Sequence, residues 1–535
     1  MSGGETRKKL FKIGLTVIVL IFLLLAGIQI FLSFYLDDLV EKRLISAVSE
    51  QTMNQYELEV GELTLSVWNR QIELNSIRLR PADSSSTAPN LEFDRLSIGG
   101  VQFFPYLLSG SVQAEDVQLI NPVVTIVEDS PDSLRFLKSS GDSTNPKKPP
   151  IVGIDHFMLD GGSLIYQATD QNSNRAELLD FDLSISGIQM DSTSLATSPF
   201  INFESVTTST GGIRYVFKSG LYAIESHQTR YSTTENIALI DSLKLIPQYP
   251  KYEFARQVGH QLDRISLTVA QLQLENPDIE KLKDGSLIAD MFIIDKANLD
   301  VFHSKMVPDG PERVKSLPHM DFKNLPVPVT IDSVRIKQSE ISYSEHLPEI
   351  SRPGTVRFAN INATFSDVTN DSTTISRGHE ITLDVTSDVM GVAELDAHFV
   401  IPMHENGNHS VRGTLASIQA EQFNPILEPV GLVRAERGTI HSLQFLMDLG
   451  TDSASGWVQL VYSDLKIAVL DSENVNSGGR RWLKTFLANV LKIRENNNRE
   501  PFRRGEVSMV RLPTKSMFSY WWKSLSTGLK DNVGM

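Results

Sequence analysis

The stretch Ala-Glu-Leu-Asp-Ala-His-Phe-Val-Ile, residues 393–401, has an apolar side chain at every odd-numbered position. A period of two residues is typical of a β-strand with one face toward an apolar interior and the other toward water. The pattern therefore predicts a strand here. The candidates for its apolar face are Ala393, Leu395, Ala397 and Phe399.

The same alternation recurs along much of the chain from about residue 56 onward. Leu63, Leu65 and Val67 form an early set and give a second group of candidates for the apolar face. Between Phe358 and Ile361 the apolar positions shift by one residue, which indicates a β-bulge or a tight turn. Strands with one apolar and one polar face normally form antiparallel sheets whose apolar side is covered. The pattern predicts a mainly β protein.

Two patterns occur twice, in the same order. Val117–Pro122 matches Leu272–Pro277 as an alternating strand that ends in Asn-Pro, and proline cannot donate a hydrogen bond to a neighbouring strand. Ile154–Tyr166 matches Ile331–Tyr343, with the isoleucine and the tyrosine twelve residues apart in both. The two matches predict a divergent repeat of a strand-rich unit, with chance alternation as the alternative.

Residues 13–36 form a run of 24 residues without a charged side chain. About 20 apolar residues are enough for a helix to cross the hydrocarbon core of a membrane. Arg7, Lys8, Lys9 and Lys12 precede the run, and basic flanks stay in the cytoplasm, so the rest of the chain is expected on the far side. A cleaved signal peptide is the alternative, but its apolar region is shorter, about 7–15 residues, and ends in an A-x-A-like site that is missing here.

Composition and motifs point away from several function classes. The 535 residues include no cysteine, which excludes disulfides, thiol catalysis and cysteine-ligated zinc. No G-x-S-x-G, H-E-x-x-H, Walker A or G-x-G-x-x-G pattern occurs, and the histidines are scattered. The net charge of −15 argues against nucleic-acid binding by the whole chain. We therefore expect no enzyme, no cofactor, no metal and no nucleic-acid partner.

The C-terminal tail is basic although the chain as a whole is acidic. Arg480–Lys530 contains 12 basic and 3 acidic residues. Apolar side chains recur there at helical spacing beside lysine and arginine, which suits the interface of an anionic membrane. Two helices that plug the end of the β body are the alternative. The membrane-interface candidates are Trp482, Phe486, Met517, Phe518, Trp521, Trp522, Leu525, Lys515 and Lys523.

Several segments also carry a family resemblance. They are Tyr56–Leu63, Phe104–Gly110, Leu119–Pro122, Pro247–Phe254, Gly456–Lys466 and Lys515–Leu525. Together with the predicted N-terminal helix, they resemble the AsmA-like family of Gram-negative bacteria, and the last three are similar to its Bacteroidota-type members. The resemblance covers most of the chain, but in diffuse motifs.

The resemblance implies a single-pass inner-membrane protein with a cytoplasmic N-terminus and a periplasmic body. It implies a long, curled, taco-like antiparallel sheet after the transmembrane helix, with short C-terminal amphipathic helices. The concave face would be an apolar groove that carries phospholipid between the inner and outer membranes in support of outer-membrane biogenesis. Membrane phospholipids, and an outer-membrane or periplasmic protein, are the implied partners. The family offers no catalytic residues.

Two other functions fit the same sequence. One is an assembly factor for outer-membrane proteins that binds polypeptide through exposed strand edges. The other is a structural spacer of the envelope. The expected layout is a cytoplasmic tail at 1–12, a transmembrane helix at 13–36, β-groove segments at 37–130, 151–306 and 329–470, linkers at 131–150 and 307–328, and basic amphipathic helices at 471–535.

Overall fold

The computed structural model describes residues 44–46, 48–50, 52, 54–66, 70–83, 88–102, 111–127, 152–167, 174–190, 203–348, 350–405, 407–470 and 493–534. Among these residues, strands account for 60% and helices for 14%, which confirms the mainly β class and a large, curved, mostly antiparallel sheet. No helix in these ranges is long and apolar enough to cross a membrane. The predicted transmembrane helix at 13–36 lies outside the described residues.

The strands and helices are numbered here in chain order. The strands are β1 Tyr56–Ser66, β2 Gln71–Pro81, β3 Asn90–Gly99, β4 Val112–Ile120, β5 Val123–Val127, β6 Val152–Gln167, β7 Asn174–Met190, β8 Ser205–Thr210, β9 Gly212–Val216, β10 Tyr222–Ser226, β11 Gln228–Ser232, β12 Ile237–Pro247, β13 Asp263–Glu275, β14 Leu287–Ser304, β15 Val329–His346, β16 Gly354–Thr369, β17 Glu380–Val389, β18 Ala393–Pro402, β19 His409–Leu415, β20 Ile418–Gln419, β21 Val433–Leu449, β22 Ser453–Val469 and β23 Gly505–Val510. The α-helices are α1 Lys251–Val258, α2 Ile279–Lys283, α3 Pro318–Lys323, α4 Ser372–Ile375, α5 Asn424–Gly431 and α6 Met517–Val533. Residues 44–46 and 48–50 are also helical, and Ala420–Phe423 is a 3-10 helix.

The chain divides into two compact units. Unit 1 contains the described residues up to Lys218 together with Ile224–Ala238, and unit 2 contains Ser219–Ala223 and the residues from Leu239 onward. The predicted layout of three β-groove segments and two linkers stays a prediction. Residues 131–150 lie outside the described ranges, and 307–328 is an internal connection of unit 2 that includes α3.

In unit 1, β1, β2 and β3 pair antiparallel, and β3 continues to both β4 and β5. β4 and β5 run parallel to β6, which pairs antiparallel with β7; β7 then pairs with β8 and β9, and β8 pairs with β11. Directly paired residues point to the same face, so the register decides which side chains pack together. One line of paired residues across six strands consists only of leucine. This leucine ladder is Leu63, Leu74, Leu96, Leu119, Leu159 and Leu183.

In unit 2, β13 pairs antiparallel with β14, and β14 runs parallel to β15. From β15 the sheet continues antiparallel through β16, β17, β18, β19, β21, β22 and β23, with the short β20 also on β21. A parallel pair needs a long crossover, because the chain must return to the end of the sheet at which the first strand began. The segment between β14 and β15, with α3 inside it, is that crossover.

A line of bulges explains the shift of the apolar pattern. The register slips between the pair Ser339–Ile361 and the pair Ile341–Phe358, and Asn360 has a φ of 50°. Lys296 in β14 has a φ of 51° beside this slip. One extra residue in a strand exchanges odd and even positions, so apolar residues stay on one face on both sides of the bulge. The bulge predicted between Phe358 and Ile361 is confirmed.

The two sequence repeats differ in structural meaning. Ile154–Tyr166 lies in β6 and Ile331–Tyr343 in β15, and each of these strands pairs parallel with the strand before it and antiparallel with the strand after it. That match is a true equivalence. The Asn-Pro match is not, because β4 lies directly beside β6 whereas β14 separates β13 from β15. Asn121 and Asn276 do both end their strands, with φ values of 50° and 51°.

Candidate functional site: the apolar face of the sheet and the C-terminal helix

Unit 2 has two in-register lines of apolar side chains on one face, one on each side of the line of bulges. The long ladder crosses eight strands. It consists of Leu274, Phe292, Val334, Phe365, Leu383, Phe399, Val411 and Met447. The short ladder crosses six strands and consists of Leu267, Leu299, Ile341, Phe358, Val389 and Ala393.

Burial along these ladders is uneven. Met447, at the β21 end of the long ladder, is only 3% exposed, whereas Ile341 in the short ladder is 37% exposed. Phe292 and Val334 also keep part of their surface open. The face is therefore closed toward β21 and partly open on β13, β14 and β15.

The β18 candidates lie on this apolar face. Phe399 belongs to the long ladder and Ala393 to the short ladder. Ala397 is buried, and Leu395 packs against the same hydrophobic cluster. These four residues therefore share one face of β18, which other parts of unit 2 cover, and their role in a lipid groove stays a prediction.

The other candidates for the apolar face, Leu63, Leu65 and Val67, lie in the sequence at the end of β1. Leu63 is the first member of the leucine ladder and packs against the core of unit 1. Leu65 pairs with Ile72 through its backbone, and the position of its side chain is not described. Val67 lies outside the described residues.

Helix α6 covers part of the apolar face of unit 2. Its buried residues, Tyr520, Ser524, Gly528 and Asn532, recur every four positions and so lie on one side of the helix. Small residues let the helix approach closely: a Cβ on Gly528 would lie 2.5 Å from a methyl carbon of Val458. This small-residue stripe was visible in the sequence but was not used to orient the helix.

Trp521 connects α6 to the sheet. Its ring lies 5.2 Å from that of Phe399, and its Nε1–H donates a 2.8 Å hydrogen bond to Nε2 of His409. Nδ1 of His409 lies 3.2 Å from the carbonyl oxygen of Gly407, to which it donates. Each ring nitrogen of the neutral imidazole therefore takes part in a hydrogen bond. Burial, the nearby His319 and Arg511 lower the pKa of His409 to about 4, although the Gly407 bond acts in the opposite direction.

The structure divides the residues predicted to form one membrane-binding side of α6. Trp521 and Leu525 pack against the sheet, whereas Phe518 and Trp522 are 38% and 47% exposed. Lys515 and Lys523 are exposed as well, and Met517 is half-buried. The helix therefore has a packed side and an exposed aromatic side. Trp482 and Phe486 lie outside the described residues.

The region expected to hold only helices also contains a strand, β23. The apolar residues of Gly505–Val510 alternate, a signal that the emphasis on helical spacing missed. β23 pairs with β22 on one side. On the other side, the backbone N–H groups of Glu506 and Ser508 donate to Asp531 and Thr527 of α6, which satisfies part of this sheet edge.

A row of charged residues lies at the end of the short-ladder face. Asp263, His303 and Glu345 are paired across β13, β14 and β15, two rows beyond Ile341. Nδ1 of His303 lies 2.7 Å from Oδ1 of Asp263, and Nζ of Lys305 lies 2.5 Å from Oε1 of Glu345. Burial raises the pKa of Asp263, but the interactions with His303 and Lys315 outweigh burial and hold that pKa below its usual value. We call Asp263, His303, Lys305 and Glu345 the charged row.

The described residues do not contain a group of three histidine, aspartate or glutamate side chains placed to hold a metal ion. An open cavity of about 400 Å³ lies beside α3 and α4. It is lined by Lys323, Asn324, Asn370, Ser372, Ile375, Ser376 and His404. The Asn370 amide is occupied there by backbone bonds to residues 327 and 329, which gives it a structural role.

Neither models of known protein families nor curated proteins match this chain.

Proposed function

We propose that this protein carries phospholipid along the apolar face of its sheet between the inner and outer membranes of a Gram-negative envelope. In this proposal residues 13–36 anchor the chain in the inner membrane and the body lies in the periplasm. The protein has no catalytic site and supports outer-membrane biogenesis. The placement in the envelope rests on the charge pattern of the N-terminus and on the family resemblance.

The long ladder is the observation that carries the proposal. It places apolar side chains at equivalent positions on eight neighbouring strands, and on β13, β14 and β15, where the face is partly open, an acyl chain meets similar surface from one strand to the next. Each methylene group buried there contributes about 0.8 kcal/mol. Many equivalent contacts allow movement along the face, whereas one deep pocket would hold the lipid in place. The partial exposure of Phe292 and Ile341 leaves room for such contacts.

The exposed side of α6 supports contact with a membrane. Phe518 and Trp522 stand one helical turn apart, and Lys515 and Lys523 are close to them in the sequence. Aromatic side chains with neighbouring lysines suit the interface of an anionic bilayer, where each base adds roughly 1 kcal/mol. The helix itself, 17 residues with several polar side chains, is too short and too polar to span.

The proposal is tested by native mass spectrometry of the full chain extracted in detergent. We expect co-purified phospholipid with the native protein. Ile341→Asp places a charge on the open part of the apolar face and should reduce bound lipid at least severalfold. Ser342→Asp is the matched control, because Ser342 is the next residue of β15 and faces the opposite side. Absence of lipid from the native protein, or equal losses in both variants, contradicts the proposal.

The assembly-factor alternative needs an exposed strand edge. Side chains of α6 occupy part of the outer edge of β23, so that edge gives it little support. No specific observation favours a purely structural spacer over a carrier, since a spacer has no need for apolar side chains that remain partly exposed.

A further inference from the structure

The apolar face of unit 2 changes character over a short distance along β13, β14 and β15. Three successive rows of side chains point to the same face, each separated from the next by two residues, or about 6.6 Å. The first row is apolar, the second adds a tyrosine, and the third is charged. The rows are Leu267, Leu299 and Ile341; Ile265, Val301 and Tyr343; and Asp263, His303 and Glu345.

The charged row contains both signs of charge. Asp263 and Glu345 are the two carboxylates, and Lys305 is bonded to Glu345. Lys315 lies close enough to Asp263 to lower its pKa, as His303 does. Together with Lys315, the row brings two carboxylates and two ammonium groups to one place, and their charges balance. An anionic ligand would instead require an excess of basic groups.

These charges remain partly accessible to a ligand, least so Glu345, whose side chain is 17% exposed. The side chains of His303, Asp263 and Lys305 are 20%, 30% and 37% exposed, respectively. The Tyr343 hydroxyl, between the apolar and charged rows, donates to Oε2 of Glu345 at 3.1 Å, and its ring lies 5.2 Å from that of Phe518. Tyrosine is suited to a boundary of this kind, because its ring is apolar and its hydroxyl is polar.

We propose that the charged row binds the headgroup of a zwitterionic phospholipid whose acyl chains lie on the apolar rows next to it. The amine of the headgroup donates hydrogen bonds to Asp263 and Glu345, and the phosphate accepts from Lys305. The proposal deepens the proposed function and rests on it. It predicts that the protein prefers a lipid whose headgroup carries both an amine and a phosphate.

A purely structural set of ion pairs is the competing explanation. Strand β14, which carries His303, provides a comparison on its opposite face, where Asp300 pairs with Lys251 at 3.0 Å. Lys251 also lies over the ring of Phe302, which is buried, so this pair stands beside closed core rather than open apolar surface. Asp300→Asn is therefore a matched control for loss of a paired carboxylate.

The test offers the full-length protein an equimolar mixture of phosphatidylethanolamine and phosphatidylglycerol with identical acyl chains and measures the ratio retained by native mass spectrometry. We expect native protein and Asp300→Asn to retain more phosphatidylethanolamine. The double variant Asp263→Asn with Glu345→Gln removes both acceptors for the amine and leaves the lysines, so its ratio should fall roughly tenfold. Glu345→Gln alone, which preserves side-chain shape, should lower the ratio of phosphatidylethanolamine to phosphatidylglycerol roughly threefold. This single variant provides the test if the double variant fails to fold.

The outcomes separate this inference from the function on which it rests. If lipid is retained but the ratio is the same in native protein and in the charged-row variants, the row is structural and the inference is wrong, while the proposed function stands. An equal fall in Asp300→Asn leads to the same conclusion. If the native protein retains neither lipid, the proposed function fails and the inference fails with it.

Discussion

The two ends of the apolar face in unit 2 have similar sequence patterns and different surroundings. On β13, β14 and β15 the apolar side chains are partly open, with Ile341 37% exposed. On β21 and β22 the equivalent face is closed: Met447 is 3% exposed and Val458 is fully buried. Alternation along a strand identifies an apolar face, but it does not say whether protein, lipid or water meets that face.

What differs is the cover provided by other parts of the chain. α6 brings a side of small residues against β22 and β23, so that its backbone approaches the sheet closely, and Trp521 extends the contact to Phe399. Close packing of this kind contributes stability through dispersion and burial. The open end lacks that contribution, so its exposed apolar surface lowers the stability of the protein. A functional role of this surface would account for that loss.

Trp521→Ala should have the largest effect, because it removes the contacts of α6 with Phe399 and His409. The ring packs on Phe399, and its loss leaves Nε2 of the buried His409 without its donor. We expect the free energy of unfolding to fall by about 4 kcal/mol. Urea denaturation measures the change. A loss below about 1 kcal/mol would mean that the contacts of Trp521 contribute little to the stability of the covered end.

Acid should weaken the same contact. His409 takes up a proton only near pH 4 in the folded protein, whereas an unfolded histidine does so near 6.5, so the unfolded state binds more protons between these values. The contribution of His409 to stability should be constant above about pH 6.5 and fall by roughly 3 kcal/mol as the pH drops to 4. His409→Gln keeps an acceptor for Trp521 but does not titrate, and should remove this part of the pH dependence. An unchanged profile in that variant contradicts the assignment.

The sequence predicted the parts of this arrangement that depend on local pattern. Strand class, the apolar face of residues 393–399 and the bulge near Asn360 follow from alternation, because side-chain direction in a strand depends only on position. Helix α6 followed from its 3.6-residue spacing in the same way.

The parts that depend on contacts between distant residues were not predicted. The charged row joins residues 263, 303 and 345, which only the strand register brings together. The bond between Trp521 and His409 joins residues 112 positions apart. The orientation of α6 was missed because its packed side is marked by Ser524 and Gly528, small residues that an analysis of hydrophobic spacing does not weigh.

Truncating one apolar side chain at each end should sharpen the contrast. Met447→Ala leaves a cavity in close-packed core and should cost about 3 kcal/mol. Ile341→Ala removes a side chain that is already partly exposed and should cost about 1 kcal/mol. The difference of about 2 kcal/mol is measured by urea denaturation of both variants. Equal costs would mean that the β15 part of the face is as well covered as the β21 part.

The smallest effect on stability, and the clearest separation of roles, is expected at Trp522. It follows Trp521 directly but is 47% exposed, so Trp522→Ala should change the free energy of unfolding by less than about 0.5 kcal/mol. If the exposed side of α6 binds an anionic membrane, Phe518→Ala with Trp522→Ala should abolish flotation with phosphatidylglycerol vesicles of the protein lacking residues 1–43. Trp521→Ala is the reciprocal control: it should lower the free energy of unfolding, whereas Trp522→Ala should not. Flotation that persists without Phe518 and Trp522, or never occurs with them, would make α6 a cover for the sheet and nothing more.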